Sequence, residues 1–216
     1  MRVYVEQGRK RAFAGALEWP GWCRSARDEE GALDALLAYA SRYRKAIATA
    51  RAGFQPPPDA TAFVVVERLK GTATTDFGAP GVPPSIDAEP LEGSEWKRQV
   101  RLLRACWGAF DDAADAARGL TLAKGPRGGG RTVAKIVAHV FEADQGYLTV
   151  VGGSYRGKDT APLRAAFVDA LEARGRGDLP DVGPRGGKRW TARYAIRRSA
   201  WHALDHAWEI EDRSSG

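Results

Sequence analysis

Short apolar runs dominate residues 1–70, and apolar residues spaced by three and four dominate the remainder. RVYVE (2–6), RAFAGAL (11–17) and AFVVVER (62–68) are rich in Val, Phe and Tyr, the side chains that suit a pleated, half-buried surface. Between the second and third lies SARDEEGALDALLAYASRYRKAIA, where Leu33, Leu36, Leu37, Ala40 and Tyr43 recur at helical spacing. Ser25 followed by Asp28 three residues on predicts a capping-box start, and Gly53 with the prolines at 56–58 predicts the stop. The pattern predicts a small β-β-α-β unit over 1–70.

Residues 71–93 (GTATTDFGAPGVPPSIDAEPLEG) lack periodicity and are rich in Gly, Pro and Thr, which predicts a linker along the surface. Four amphipathic segments follow. Ser94 is expected to cap the first, with Trp96, Val100, Leu103, Trp107, Phe110, Ala114 and Ala117 along one seam. The second runs from about Thr132 to Val151 with Val133, Ile136, Val140, Ala143 and Tyr147 on its seam. Thr160 and Pro162 open a short third helix carrying Leu163, Ala166, Phe167 and Leu171. The fourth, from roughly Thr191 to Glu211, places Tyr194, Trp201 and Trp208 seven residues apart. The expected fold is therefore α+β, an N-terminal β-β-α-β domain and a C-terminal four-helix up-down-up-down bundle over 94–216. GPRGGGR (125–131) and GPRGGKR (183–189) precede the second and fourth helices. Those helices run parallel in such a bundle, so both loops are expected at one end.

A chain of 216 residues, 44% hydrophobic and 28% charged, can bury a sizeable core. The net charge of +6 keeps nucleic acid or an anionic small molecule in view without choosing a function. Cys23 and Cys106 show no CxxC spacing and are expected as reduced, buried thiols. MRVYVEQGRKR has no apolar core of the signal-peptide kind, and no apolar run reaches membrane-spanning length. These features predict a cytoplasmic protein without membrane association.

The chain has three histidines, and two of them, His202 and His206, sit four apart in WHALDHAWE. On a helix such a pair stacks on one face with Cβ atoms about 5–6 Å apart, close enough to share a cation. The alternative is a pair of exposed or core-satisfied side chains. His139, beside the apolar seam of the second helix in AHVFEADQGYL, can face the same interior. Bundle cores build metal sites from side chains on facing helices. Three neutral nitrogens leave a coordination position open, as catalytic zinc sites do. Zinc is the first choice for imidazole donors, and nickel, iron or copper fits the same set.

The lone histidine in HVFEADQGYL on the second helix, with HxxxH near the end of the fourth, resembles the DinB/YfiT-like superfamily over residues 94–213. That superfamily includes mycothiol- and bacillithiol-dependent transferases and isomerases built as four-helix bundles around a divalent metal. The resemblance implies His139, His202 and His206 as metal ligands and a low-molecular-weight thiol such as mycothiol as cosubstrate. It implies a small-molecule substrate attacked by an activated thiol, with hydrolysis by activated water as the other chemistry such a site runs. Glu142 and Glu209, each three residues after a histidine, are candidates to orient a ligand or carry a proton, or else are solvated helix carboxylates. Asp205 is expected to point away from the metal face. Arg127 and Arg185 in the twin loops are candidates to hold an anionic cosubstrate, or else lie on flexible basic turns. Arg197 and Arg198 either meet a substrate carboxylate or face water.

Trp19-Pro20-Gly21-Trp22-Cys23 followed by Asp28-Glu29-Glu30-Gly31-Ala32-Leu33 resembles the HicB-like domain over about 1–70. That resemblance implies a small αβ fold and a platform for a partner or ligand. The competing functional class is a non-enzymatic regulatory or binding protein using this half and the basic surface to engage a protein partner or nucleic acid. No helix-turn-helix signature accompanies it, so nucleic acid is not expected as a partner, whereas a homo-oligomer is compatible with the pattern.

Overall fold

The computed structural model describes residues 1–124 and 130–214. Seven helices and one four-stranded sheet are described, an α+β fold. The strands are β1 (Arg2–Gln7), β2 (Ala12–Ala16), β3 (Cys23–Ala26) and β4 (Val64–Lys70), in spatial order β3-β2-β1-β4. β1 pairs antiparallel with β2 and parallel with β4, and β2 pairs antiparallel with β3. β3 departs from the expected β-β-α-β order. Its sequence CRSA has no apolar run, but it pairs with β2 from Cys23 opposite Gly15 to Ala26 opposite Ala12. Ser25 is therefore a strand residue, and the cap of α1 (Glu29–Ala38) is Asp28, whose carboxylate accepts from Gly31 N at 3.0 Å. The chain turns at Tyr39 and continues as α2 (Ala40–Ala46).

Segment 71–93 is more built than a linker. It contains α3 (Ala73–Phe77), capped by Thr72, and a 3-10 turn at Ser85–Ala88. It also seals β1. Glu6 is fully buried, and its carboxylate accepts from the Thr75 hydroxyl, from Gly81 N at 3.0 Å and from Val82 N at 3.1 Å. Asp87 in the same segment is 1% exposed and pairs with Arg197.

Four long helices complete the chain: α4 (Gly93–Ala116), α5 (Val133–Val151), α6 (Thr160–Gly175) and α7 (Ala192–Ser214). Glu92, not Ser94, is the N-cap residue of α4. Thr132 caps α5 by accepting from Lys135 N at 3.4 Å, and Thr191 does the same for α7 with Tyr194 N at 3.2 Å. Their directions correct the expected alternation. α7 runs parallel to α4, with Glu95 beside Arg193 near both starts and Trp107 beside Ser199 further along. It runs antiparallel to α5, because Trp190 N meets Val150 O and Arg213 reaches back to Arg131 O. α6 runs parallel to α5, with Asp144 beside Arg164 and Gly153 beside Ala170. The order is up-down-down-up. The physical cause is the connection 152–159, which doubles back along α5 and carries Tyr155 to Gln145 before α6 begins.

One apolar cluster spans both halves, from Val3, Trp22 and Leu36 to Leu103, Phe167 and Leu204. The WPGW turn marks the junction. Gly21 has φ +91°, and a Cβ there would lie 3.0 Å from Leu204 Cδ1 and 3.1 Å from Cys106 Sγ, so the turn needs a glycine. Trp22 beside it donates to Leu36 O at 2.9 Å and stacks on Tyr43 at 5.7 Å. Cys23 and Cys106 are buried free thiols, and burial pushes the Cys23 pKa to about 12. Among the described residues no helix is long and apolar enough to cross a membrane.

A polar chain crosses the helices. Trp107 Nε1 donates to Ser199 Oγ at 3.0 Å, and Ser199 donates onward to Asp144 Oδ1 at 3.0 Å. Asp144 Oδ2 is buried without a hydrogen bond and lies 3.9 Å from Arg164 Nε. Burial is the main cause that raises the Asp144 pKa from 3.8 to about 7, against the opposing pull of Arg164. The folded state thus holds this proton more tightly than the unfolded chain, so the group's contribution to stability declines as pH rises from about 4 to about 7. The full span corresponds to roughly 4 kcal/mol. Asp144→Asn, which still accepts from Ser199, is expected to gain stability over the wild type as pH rises through that window. Urea unfolding of both proteins at pH 5 and pH 8 measures it, and a difference that does not change with pH contradicts it.

Candidate metal centre

α7 is buried along most of its length because it lies between the sheet and the other long helices. Its outward polar positions are therefore few, and they carry the site. His202 and His206 face α5 one turn apart, with 7% and 9% of their surfaces exposed. His139, half-buried, reaches them from the middle of α5. The ring centroids are 5.1 Å (His139–His202), 5.0 Å (His139–His206) and 4.6 Å (His202–His206) apart. One nitrogen from each ring lies within 4.8 Å of the others. His139 Nε2 and His202 Nε2 are 3.3 Å apart. Two nitrogens bound at about 2.0–2.1 Å to one tetrahedral ion are separated by about 3.3–3.4 Å. The donor set fits a borderline-soft divalent ion.

Ligation needs neutral rings. Burial, followed by the neighbouring His206 and Arg131, lowers the His139 pKa. Burial also drives His202 down to about 2, with His206, Arg198, His139 and Arg131 adding to it. Glu209 decides the tautomer of His206. Its Oε2 lies 2.8 Å from His206 Nδ1 and its Oε1 accepts from Arg213 Nη1 at 2.7 Å. The bond to His206 is the largest cause lowering the Glu209 pKa. A carboxylate only accepts, so Nδ1 carries a proton and Nε2 is the nitrogen left to meet an ion. Arg213 is fixed in turn by Ala123 O at 2.8 Å and Arg131 O at 2.9 Å. His202 Nδ1 is buried with no hydrogen bond. Its ring is oriented by packing instead, edge-on to Tyr147 at 5.8 Å and tilted against Trp201 at 6.1 Å.

Of the two candidate carboxylates, only Glu209 is bonded into the cluster. Glu142 is exposed, forms no hydrogen bond or ion pair among the described residues, and touches the histidines only through its field on His139. It lines an open groove of about 1080 Å³ with Val137, Phe141 and Arg164, a groove that includes none of the three histidines. The three histidines thus lie outside this groove, and we assign the candidate site by its donor atoms. Asp205 is turned away from the cluster and accepts from Arg24 at 2.9 Å.

Arg185 is exposed on the turn before α7, and Arg127 lies outside the described residues. The twin-loop expectation of a shared end is corrected by the helix directions. Arg131, which closes the first motif, sits at the C-terminal end of α7, whereas Arg189, which closes the second, sits against Gly152 at the end of α5. Arg197 is 6% exposed and its guanidinium is taken up by Asp87, Ala16 O and Leu17 O. The sequence pattern did not single out Arg213 as the partner of Glu209, although its i,i+4 spacing is the available signal. The Ser199–Asp144 pair had no such signal, since it joins positions 55 apart.

No family model, curated protein or solved structure matches this chain.

Proposed function

We propose that the chain is a metal-dependent enzyme of the DinB/YfiT-like kind, a four-helix bundle whose His139, His202 and His206 hold one divalent ion. Zinc is the first choice, with nickel, iron and copper as competitors for the same donors. The observation that carries the reading is the convergence of the chain's three histidines, from two helices, on one point. Three protein nitrogens leave one position of a tetrahedral shell for a small molecule. A bound ion there lowers the pKa of a thiol or water toward neutrality. The protein's own share is to favour the neutral form of His139 and His202, to fix His206 through Glu209, and to pack His202 against Tyr147 and Trp201. The reaction class is transfer of a low-molecular-weight thiol of the mycothiol type to an electrophile in the cytoplasm, with hydrolysis as the alternative use of the same position. The HicB-like N-terminal half supports the site by packing Phe13 on Trp201 and Arg24 on Asp205.

Metal analysis by mass spectrometry on untagged protein, reconstituted with zinc and desalted, tests the reading. The wild type is expected to retain one ion per chain and His202→Ala none. Glu209→Gln is expected to weaken affinity by about 10–100-fold, the usual effect of removing a group that orients a ligand. A wild type without stoichiometric metal, or His202→Ala with it, contradicts the proposal.

A further inference from the structure

Arg198 lies one turn before His202 on α7, and His202 lies one turn before His206, so all three side chains share a face. Its Nη1 is buried without a hydrogen-bond partner, and no carboxylate pairs with Arg198 among the described residues. Arg198 is half-buried and differs in this from the three buried arginines of α7. Arg193 is paired with Glu95, Arg197 with Asp87 and Arg213 with Glu209. Instead, Arg198 rests on aromatic faces, 4.5 Å from the Trp201 ring centroid and 5.8 Å from that of Tyr147. Tyr147 in turn touches His202 and Trp190. A guanidinium is always charged, and its planar fork matches a carboxylate with two parallel hydrogen bonds. Holding one beside the histidines with a buried nitrogen unsatisfied is costly unless a ligand completes it.

The surrounding charge points the same way. Arg131 stands at the other side of the cluster, exposed, and forms no ion pair among the described residues. Glu209 is already neutralised by Arg213. An ion on the histidines therefore adds positive charge to a site that already has an excess of it. Resting on the metal reading above, we infer that Arg198 is the carboxylate-binding residue of the same site, and that the substrate class is a small carboxylic acid whose other end reaches the ion. The two ends of that ligand would be separated by about one helical turn, roughly 5 Å. Tyr147 and Trp190 then flank the carbon chain between them.

The test uses full-length untagged protein loaded with cobalt(II), after metal content has been measured. Titration with 3-mercaptopropionate and with uncharged ethanethiol, followed by the sulfur-to-cobalt absorption, gives two dissociation constants. The wild type is expected to bind the carboxylate thiol roughly 10–100-fold more tightly, the range for a hydrogen-bonded charged pair. Arg198→Gln is expected to lose that preference while keeping its metal and its affinity for ethanethiol. Arg198→Met, which keeps the aliphatic stem against Trp201, is the second variant in case the glutamine protein does not fold. Equal affinities in the wild type, or a preference retained in a folded variant, overturn the carboxylate role and leave the metal site standing. A wild type that takes up no cobalt overturns both.

Discussion

Replacing Arg197 by alanine is expected to destabilise the protein by about 3–5 kcal/mol, the range for removing one partner of a buried ion pair. The guanidinium donates to Asp87 from Nε at 2.8 Å and from Nη2 at 2.7 Å. Its other bonds go to Ala16 O at 2.8 Å and Leu17 O at 3.1 Å, so one side chain ties α7 to the end of β2 and to the 85–88 turn. Burial works against the charge of Arg197, and Asp87 outweighs it, holding the group protonated more firmly than usual. Alanine would leave the Asp87 carboxylate, 1% exposed, without its partner. Replacing both, as Arg197→Met with Asp87→Leu, removes the two charges together and is expected to cost far less. Urea denaturation of the three proteins measures this. A loss below about 1 kcal/mol in Arg197→Ala would show that the ion pair is not what joins the halves.

Metal removal is the second large effect. A ligand that binds only the folded state, present at 1,000 times its dissociation constant, adds about 4 kcal/mol to stability. For a chain of this size that is a melting-temperature change of about 8–16 °C. Zinc-loaded protein is therefore expected to lose about that much on treatment with a strong chelator and to regain it when zinc is restored. His139→Ala is expected to melt at one temperature whether zinc or chelator is present. A wild type whose melting is indifferent to both contradicts the metal reading.

Much of the helical half was legible because apolar residues recur at helical spacing within each segment, and α5 also carries its own cap. The Thr132 start and the Ile136 and Val140 positions of α5 were read correctly, whereas its buried stripe continues through Asp144, Leu148 and Val151 instead of the expected Ala143 and Tyr147. The HxxxH pair was legible for the same reason, since one-turn spacing is a property of a single helix. The rest depends on contacts distant in sequence. The direction of α6 is decided by the path of 152–159, which no periodicity encodes. β3 was missed because Cys23–Ala26 has one buried residue and three half-buried ones, and its pairing comes from β2. Segment 71–93 looked like a linker because its order comes from Glu6 and Arg197, each far away in the chain. That no carboxylate among the described residues pairs with Arg198 could not be read at all, since it depends on where the other charges fall.

X-ray absorption at the zinc edge of untagged, zinc-loaded protein puts the three-histidine centre to the most direct test. Three imidazole nitrogens and one non-protein oxygen ligand at about 2.0–2.1 Å are expected, with one imidazole lost in His206→Ala. A shell containing sulfur from Cys23 or Cys106, or one of six oxygens, would mean that the ion is held elsewhere and that the histidines are only neighbours.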